Sequence, residues 1–313
     1  MRKLFPCFLF ALLLSLAPAQ IGISLDDVVD SKSEESLTLV VMDPLCDKLA
    51  CDCVQGYAQR KYEVLGEYLQ DQLGREVDVL WGESISNALE ETNAKPDIVI
   101  GKYSVIQGDA KSGGFQLNPV ASLTGTDGSV WQTGLIVVRK NDPALQVSDL
   151  GGYRIFFGPK DCDEKSAAPM KLLQENGIAL PDKPEVSGAC SEAATKLMEL
   201  SEEIKAAAVI SSYAEPLLSG CGTIEKGDLR VIGISEEVPF VAAFVNTRLS
   251  QSTQSAIRSA LLAAGKKPGL RKALETKSGF VPFKSSAVEK RSPSSKEPAE
   301  SGSADGRSDS KKK

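Results

Sequence analysis

Histidine is absent from all 313 residues of this sequence. It is the usual general base of enzymes, the commonest metal-ligating side chain and the group that titrates closest to neutral pH. Its absence excludes serine-triad enzymes, enzymes with a His-paired cysteine nucleophile and His-ligated zinc enzymes. We therefore predict no catalytic residue, no metal site and no cofactor, and we expect a protein that is not an enzyme.

Positive charge is also in short supply, with 36 lysine and arginine residues against 42 aspartate and glutamate residues and a formal net charge of −6. An acidic surface of this kind disfavours nucleic acid and anionic membranes as partners. Beyond the N-terminal region, no stretch approaches the roughly 20 apolar residues of a membrane helix. We expect neither nucleic-acid binding nor membrane insertion of the mature protein.

The longest apolar run lies at the N-terminus. Arg2 and Lys3 precede the run Leu4–Leu16, and the small residues Ala17-Pro18-Ala19 follow it. This order is typical of a cleavable secretory signal peptide, and the run is shorter than a membrane span of roughly 20 residues. We expect residues 1–19 to be removed and the mature protein to be periplasmic or secreted. An uncleaved N-terminal anchor is the alternative.

The sequence has seven cysteines, of which Cys7 lies in the apolar run; the other six are Cys46, Cys51, Cys53, Cys162, Cys190 and Cys221. An even number in an exported protein predicts disulfides. The pairing that we expect joins Cys190 to Cys221 and leaves Cys162 free. A thiolate metal site built from Cys46, Cys51 and Cys53 is the alternative, although their spacing does not match a zinc ribbon.

Hydrophobic patterning predicts strands that alternate with helices, which is typical of βαβ units and a largely parallel sheet. In a first series the strands are predicted at 37–42, 76–81, 97–101 and 118–123, and the helices at 54–73 and 85–92. In a second series the strands are predicted at 133–140, 153–158, 185–189 and 206–211, and the helices at 167–176 and 191–200. The segment 230–246 then returns to the first series, and a helix at 254–265 packs against it.

Two series joined by long strands predict two α/β lobes. We expect lobe 1 at 36–135, completed by 240–283, and lobe 2 at 136–239. Residues 20–35 lack an apolar period and are predicted to be a flexible leader. Residues 284–313 are rich in Ser, Lys, Glu and Pro with almost no apolar side chains, so they are predicted to be a disordered tail.

Three segments resemble a known family: YEVLGEYLQDQLGREVDVL at 62–80, KPDIVIGKYSVIQGDA at 95–110 and GLIVVRKNDPALQVSDLGGYRIFFGP at 134–159. They resemble the phosphate/phosphite/phosphonate-binding proteins of ABC transporters, which are type II periplasmic binding proteins. The resemblance implies a two-lobed α/β fold with a hinge of crossing strands, which closes on a ligand. It also implies a monomer with an ABC permease as partner, and helix N-termini that suit anions.

One segment departs from that family. Its phosphonate binders carry a Ser-Thr-Ser-Gly helix opening where this chain has Cys162-Asp163-Glu164-Lys165. Two carboxylates at an anion site would repel a phosphonate. Asp163 and Glu164 either cap the helix, or face the cleft and select a cationic ligand or a metal ion. Otherwise the alignment is shifted and Ser166 supplies the hydroxyl, while Lys165 would neutralise a neighbouring carboxylate.

Other candidate ligand-binding residues follow strand ends, because ligands of open α/β sheets lie outside the carboxyl ends of the strands. They are Asp43, Lys102, Tyr103, Thr124, Ser211, Ser212 and Tyr213. Tyr103 also matches a tyrosine of the family's pattern. Each has a structural alternative: Tyr103 would pack in the core, and Ser211 with Ser212 would cap the next helix.

We predict an extracytoplasmic solute-binding protein that captures a small polar or anionic ligand between its lobes for an ABC permease. One alternative is an accessory protein of the same fold beside an exported dehydrogenase or cytochrome. Another is a metal-binding protein that uses Cys46, Cys51, Cys53, Asp163 and Glu164.

Overall fold

The structure is a computed structural model of the chain, and it describes residues 36–50 and 59–284. The predicted signal peptide (1–19), the leader (20–35), Cys51, Cys53 and the predicted tail beyond Lys284 lie outside the described residues. All described residues belong to one compact unit. Among the described helices, none combines the length and the apolar character that a membrane span requires.

The described chain alternates strands and helices. The strands are β1 (Leu37–Met42), β2 (Val77–Trp81), β3 (Ile98–Lys102), β4 (Leu117–Leu123), β5 (Trp131–Gln132), β6 (Gly134–Arg139), β7 (Arg154–Phe157), β8 (Glu185–Val186), β9 (Ala206–Ser211), β10 (Leu229–Ile234), β11 (Val238–Pro239), β12 (Val241–Asn246) and β13 (Phe280–Pro282). The helices are α1 (Tyr62–Leu73), α2 (Ile85–Leu89), α3 (Tyr103–Gly113), α4 (Ala167–Glu175), α5 (Cys190–Glu199), α6 (Ala214–Gly220), α7 (Gln251–Ala264) and α8 (Pro268–Ala273).

Six strands form the first sheet, in the order β13-β4-β12-β3-β1-β2. β1 runs parallel to both β2 and β3, whereas β12 runs antiparallel to β3 and β4. Every residue of β1 is buried, as a continuous apolar run predicts for a strand covered on both faces. The side chains on the two faces of this sheet form two apolar clusters, one against α1 and α7 and one against α2 and α3.

Five strands form the second sheet, in the order β10-β6-β9-β7-β8. β7 runs parallel to β8 and β9, whereas β6 runs antiparallel to β9 and β10. Both sheets are therefore mixed, and the prediction of a largely parallel sheet is wrong. In each sheet a strand that follows a crossing of the chain runs antiparallel to its neighbours: β12 in the first sheet and β6 in the second.

Two short crossing segments connect the sheets. β5 leads from the first sheet to the second, β11 leads back, and the two pair antiparallel through Gln132 and Val238. Beside them, Gly134 and Ser235 exchange hydrogen bonds: Gly134 N–H donates to Ser235 Oγ at 2.8 Å, and Ser235 N–H donates to the Gly134 carbonyl at 2.9 Å. The narrow ribbon of β5 and β11 is a hinge of crossing strands.

The first helix begins later than its apolar period predicts among the described residues. The periodic pattern extends from residue 54, of which 54–58 lie outside the described residues; residues 59–61 are not helical, α1 begins at Tyr62, and Arg60 forms a parallel bridge with Cys46. At its other end the helix stops at Gly74, whose φ of 64° is left-handed, as the sequence predicts for a glycine C-cap. The bridge draws Arg60 toward Asp43, where the two side chains form a buried ion pair.

Candidate ligand-binding site

A cavity of about 640 Å³ lies between the two sheets. Its walls come from segments that follow the carboxyl ends of strands: Met42 and Pro44 at β1, Gly82 and Glu83 at β2, Lys102 at β3, Pro159 to Cys162 after β7, Gly188 and Ala189 after β8, and Tyr213 after β9. This is the position at which open α/β sheets bind ligands. Both sheets supply wall residues.

The lining combines apolar and charged side chains. Leu45, Leu49, Val105 and Leu217 form apolar wall. The buried polar side chains in the lining are Lys102, Cys162 and Lys165, and the half-buried ones include Cys190, Ser191 and Tyr213. Exposed carboxylates at Glu83, Asp161 and Glu192 complete the rim.

A buried ion pair joins the two sheets at the inner end of this cavity. Lys102, the last residue of β3, places its ammonium 2.5 Å from Oε1 of Glu164, which lies in a 3-10 turn between β7 and α4. The same carboxylate oxygen accepts a hydrogen bond from Ser211 Oγ at 2.7 Å, and Cys162 Sγ lies 3.1 Å from it. Glu164 is fully buried and Lys102 is 6% exposed.

The protonation states of the pair follow from these contacts. Burial alone raises the pKa of Glu164, but the Lys102 charge and the hydrogen bonds from Lys102, Ser211 and Cys162 outweigh it, and the pKa lies below its ordinary 4.5. Burial alone lowers the pKa of Lys102, but the electrostatic effects of Tyr213 and Glu164 raise it by more. The pKa of Lys102 therefore lies well above its ordinary 10.5. The pair is therefore ionised at neutral pH.

Cys162 is a neutral thiol within this cluster. Burial, opposed by Lys102 and reinforced by Glu164, raises its pKa to about 12. The thiol donates to Glu164, and its sulfur accepts from the Lys102 ammonium at 3.2 Å. The neutral thiol adds no charge, so Lys102 and Glu164 balance each other.

Aromatic rings pack beside the ion pair. The Lys102 ammonium lies 5.3 Å from the centre of the Tyr213 ring, a cation–π distance. Tyr213 stacks on Phe240 with ring centres 5.0 Å apart, and Phe240 lies between β11 and β12 at the hinge. On the other side, the Arg60 guanidinium lies 5.8 Å from the Phe240 ring centre. Residues of both sheets and of the hinge thus meet around Lys102.

Lys165 is the second buried ammonium in the lining. It is 5% exposed, and its Nζ donates to the Gly188 carbonyl at 3.2 Å. Among residues 36–50 and 59–284, Lys165 forms no ion pair. Glu164 pairs with Lys102 of the other sheet and not with Lys165. Lys165 therefore brings to the wall of the cavity an ammonium group that is not bound by a carboxylate of the described residues.

Asp163 and Glu164 do not cap α4 by side-chain hydrogen bonds. Ser166 occupies the N-cap position without such a bond, and the Glu164 carboxylate binds Lys102 instead. Asp163 is half-buried, and burial together with Glu164 and Asp161 raises its pKa. Its backbone N–H donates to Ser104 Oγ at 3.2 Å, a further contact between the two sheets.

The remaining predicted ligand residues lie away from the cavity wall. Asp43 is fully buried and accepts hydrogen bonds from Arg60 at 2.8 Å, Tyr62 at 2.5 Å and the Leu45 N–H at 2.9 Å. Thr124 bonds to Thr276 Oγ1 at 2.7 Å and donates to the Gly279 carbonyl at 3.0 Å.

Tyr103, Ser166 and Ser212 also have structural contacts. Tyr103 stacks between Phe244 and Phe283, with ring centres 5.6 Å and 5.0 Å away. Ser212 Oγ accepts from the Thr133 N–H at 3.2 Å, and Ser166 is buried at the start of α4. The structure therefore places Lys102, Lys165 and Tyr213 in the cavity wall and Glu164 and Ser211 directly behind Lys102.

The sequence analysis did not predict that residues at the start of α5 line the cavity. Gly188, Ala189, Ser191 and Glu192 line the cavity at the start of α5. The sequence contained a signal for them, because they lie where a predicted short strand meets a predicted helix. Residues in that position lie at the carboxyl end of a strand, where ligands bind. The lining residues Pro44, Leu45 and Leu49 follow the carboxyl end of β1 in the same way.

The predicted disulfide between Cys190 and Cys221 is wrong. Cys46, Cys162, Cys190 and Cys221 are free thiols. Cys190 Sγ accepts from the Ser211 N–H at 3.4 Å, whereas Cys221 Sγ lies 3.1 Å from Thr223 Oγ1. The local backbone thus turns the two thiols toward different partners. Over the described ranges, no three His, Cys, Asp or Glu side chains are grouped to hold a metal ion.

The match to a known family decides what kind of protein this is. The family described as the periplasmic substrate-binding protein of phosphonate ABC transporters matches residues 55–288, more than half of the chain. The chain belongs to this family. As a phosphonate-binding-type protein it is the substrate-binding component of an ABC transport system, in a family that binds small anionic ligands, works with a permease and is periplasmic.

Solved structures show the fold of this phosphonate-binding-type protein. XAC2383 from Xanthomonas citri bound to ATP is 18% identical, with a TM-score of 0.61 over 82% of this chain and 94% of that one. A binding protein component of an ABC phosphonate transporter from Pseudomonas aeruginosa is 13% identical, with a TM-score of 0.59 over 79% and 81%. PhnD1 from Prochlorococcus marinus in complex with methylphosphonate is 14% identical, with a TM-score of 0.58 over 82% and 96%.

These likenesses confirm the predicted two-lobed type II periplasmic-binding-protein fold. Among curated protein sequences, none matches significantly. At these identities the solved structures support the architecture of the phosphonate-binding-type protein, while the ligand has to be argued from its own cavity.

Proposed function

We propose that this protein captures a small polar ligand in the cavity between its lobes and delivers it to an ABC permease, acting as a monomer outside the cytoplasm and without catalysis. The cavity carries the proposal. At about 640 Å³ it falls within the range of roughly 300–1,000 Å³ that small-molecule sites occupy. Its two walls are joined by the short ribbon of β5 and β11, so hinge closure would enclose a ligand.

The lining favours a ligand with one hydrogen-bond-accepting end and an apolar body. Lys165 offers a buried ammonium that forms no direct ion pair with a carboxylate among the described residues. A carboxylate or carbonyl group would complete its hydrogen bonding. Leu45, Leu49 and Leu217 offer apolar contact to the rest of the molecule. The exposed acids at the rim would attract a cationic substituent at the mouth of the cavity.

Thermal unfolding of the mature protein against a panel of amino acids, small carboxylic acids, amides and amines tests the proposal. At least one panel member should raise the midpoint, and small-angle scattering should show contraction with that solute. The Lys165→Met variant should lose most of the shift. Lys226→Met removes an exposed lysine outside the cavity wall and should keep it.

The proposal fails if no solute shifts the midpoint or contracts the protein. Co-purification of the tagged chain with an exported dehydrogenase or a cytochrome under the same conditions would then favour an accessory role. Binding of a solute with full affinity by Lys165→Met would retain the transport role but reject the predicted position of the ligand.

A further inference from the structure

The Glu164 carboxylate is surrounded by hydrogen-bond donors, as a bound anionic ligand would be. It accepts from the Lys102 ammonium at 2.5 Å and from Ser211 Oγ at 2.7 Å, and the Cys162 thiol lies 3.1 Å and 3.2 Å from its two oxygens. An ammonium, a hydroxyl and a thiol from three separate segments converge on one anion. Such a convergence of donors would suit a small oxyanion.

The backbone is shaped to hold this carboxylate in place. A Cβ on Gly134 would come within 1.9 Å of the Glu164 carbonyl oxygen, and a Cβ on Gly158 within 2.4 Å of the Lys165 Cβ. Only glycine at both positions allows the turn at Asp163–Lys165 to lie this close to β6 and β7. The Gly158 N–H also donates to the Lys165 carbonyl at 2.9 Å. The side chain of Glu164 therefore points from a fixed turn toward Lys102.

We propose that Glu164 determines the ligand specificity of the cleft: its carboxylate is an internal anion that occupies the oxyanion position against Lys102 and Ser211 and excludes phosphate and phosphonate. A second anion could take the position between Lys102 and Ser211 only by displacing the Glu164 carboxylate. That would leave a carboxylate without its counter-ion in a buried site and beside the incoming anion, which is unfavourable on both counts. The inference deepens the proposed function and rests on the same cavity.

Removal of the internal anion should expose the oxyanion position. Lys102 and Cys162 line the cavity and both contact the Glu164 carboxylate, which also bonds to Ser211, so we expect its removal to open the cavity toward Ser211. In Glu164→Ala the buried Lys102 charge lacks a partner. Inorganic phosphate or methylphosphonate, each close in size to the deleted side chain, would supply one.

Isothermal titration calorimetry with methylphosphonate and with inorganic phosphate, in chloride buffer, tests the proposal. Wild-type protein should give no binding in the millimolar range, and Glu164→Ala should bind at least about tenfold more tightly. Lys102→Met/Glu164→Ala removes the cation as well and should lose the gain. Glu203→Ala removes an exposed carboxylate outside the cavity wall and should behave as wild type, which controls for a change in net charge.

Two results would overturn the proposal: wild-type protein that binds methylphosphonate as tightly as Glu164→Ala, or a folded Glu164→Ala that binds neither anion. If Glu164→Ala does not fold, wild type alone decides, because stabilisation of wild type by millimolar methylphosphonate contradicts the exclusion. The proposed function is tested by a different result: it fails if no solute of the panel raises the unfolding midpoint of the wild type. A gain of anion binding in Glu164→Ala would still support the role of Glu164 in that case.

Discussion

Asp43 is a buried acid whose two oxygens are both engaged, one by the Leu45 N–H and the other by Arg60 and Tyr62. The ion pair with Arg60 is nearly inaccessible, at 0% and 3% exposure. The cost of removing such charges from water is offset only while both partners are present. This residue therefore contributes to the stability of the first sheet, at a position where the sequence predicted a ligand contact.

Asp43→Asn should destabilise the protein by about 3–5 kcal/mol, because it leaves the Arg60 charge buried without a counter-ion. Urea unfolding at neutral pH measures the change. Glu236→Gln is a matched control, since it neutralises an acid of similar pairing distance, 2.7 Å to Lys171, that is exposed to solvent. Equal midpoints for the two variants would show that the Asp43 pair is not a stabilising contact.

The four described cysteines should differ in reactivity. Burial raises the pKa of both Cys46 and Cys162 to about 12, whereas Cys190 and Cys221 are half-buried. Since the thiolate is the reactive form, alkylation of folded protein at mildly alkaline pH should modify Cys190 and Cys221 more than about tenfold faster. Peptide mass spectrometry after brief iodoacetamide treatment gives the rates. If Cys190 and Cys221 are unreactive at first and react only after reduction, the two residues form a disulfide, which contradicts the prediction.

At the scale of the elements, the turn at Asp163–Lys165 depends on glycine in the strand beneath it. Gly134→Ala should destabilise the protein by about 1–3 kcal/mol or prevent folding, because the added Cβ meets the Glu164 carbonyl oxygen at 1.9 Å. Gly151→Ala is the matched control, since a Cβ there meets no atom within 4 Å and its φ of −57° suits alanine. A urea midpoint for Gly134→Ala equal to that of Gly151→Ala would mean that the turn can move away from β6.

Patterning predicted those elements whose period is strong and local. The all-buried strand β1 and the amphipathic helix α7, predicted at 254–265 and found at Gln251–Ala264, both carry such a period. Helix α3 was not predicted as a helix, because YSVIQGDAKSG contains two glycines and few apolar residues. It forms because Tyr103, Ile106 and Ala110 pack against the first sheet, a tertiary contact that a local pattern does not contain.

The sequence predicted the individual residues of the candidate site but not that they contact one another. Lys102, Glu164 and Ser211 were each predicted from strand ends or from the altered helix opening. Their contact joins residues 62 and 47 positions apart in sequence. It depends on how the sheets face each other across the hinge, and on glycines at 134 and 158 whose purpose is visible only in the packed structure.

At the scale of the whole molecule, the ion pair between Lys102 and Glu164 links folding stability to acid pH. Folding lowers the pKa of Glu164 below its ordinary 4.5, so the ionised carboxylate stabilises the folded protein above that pH. The contribution is lost as the pH falls through the lower, folded-state pKa. Cys162, Lys102 and Tyr213 face the carboxylate and keep their protons throughout this range, since the pKa of each is raised above its ordinary value.

Wild type should therefore lose stability more steeply than Glu164→Gln below about pH 4.5, and the two unfolding curves should converge at low pH. Urea unfolding at a series of pH values measures this slope. Parallel losses of stability in the two proteins would show that Glu164 is not ionised in the folded state, which contradicts the ion pair.

The position of β12 also sets an order of assembly. The second sheet is built from one continuous stretch between Gly134 and Ile234, whereas the first needs β12, where Ala242 pairs with Ser122. Until β12 arrives, the facing edges of β3 and β4 lack a partner and are open to wrong pairing. As the chain is synthesised or exported from its N-terminus, the second lobe can complete its sheet first. We therefore expect the lobe that contains β1 to complete its sheet last.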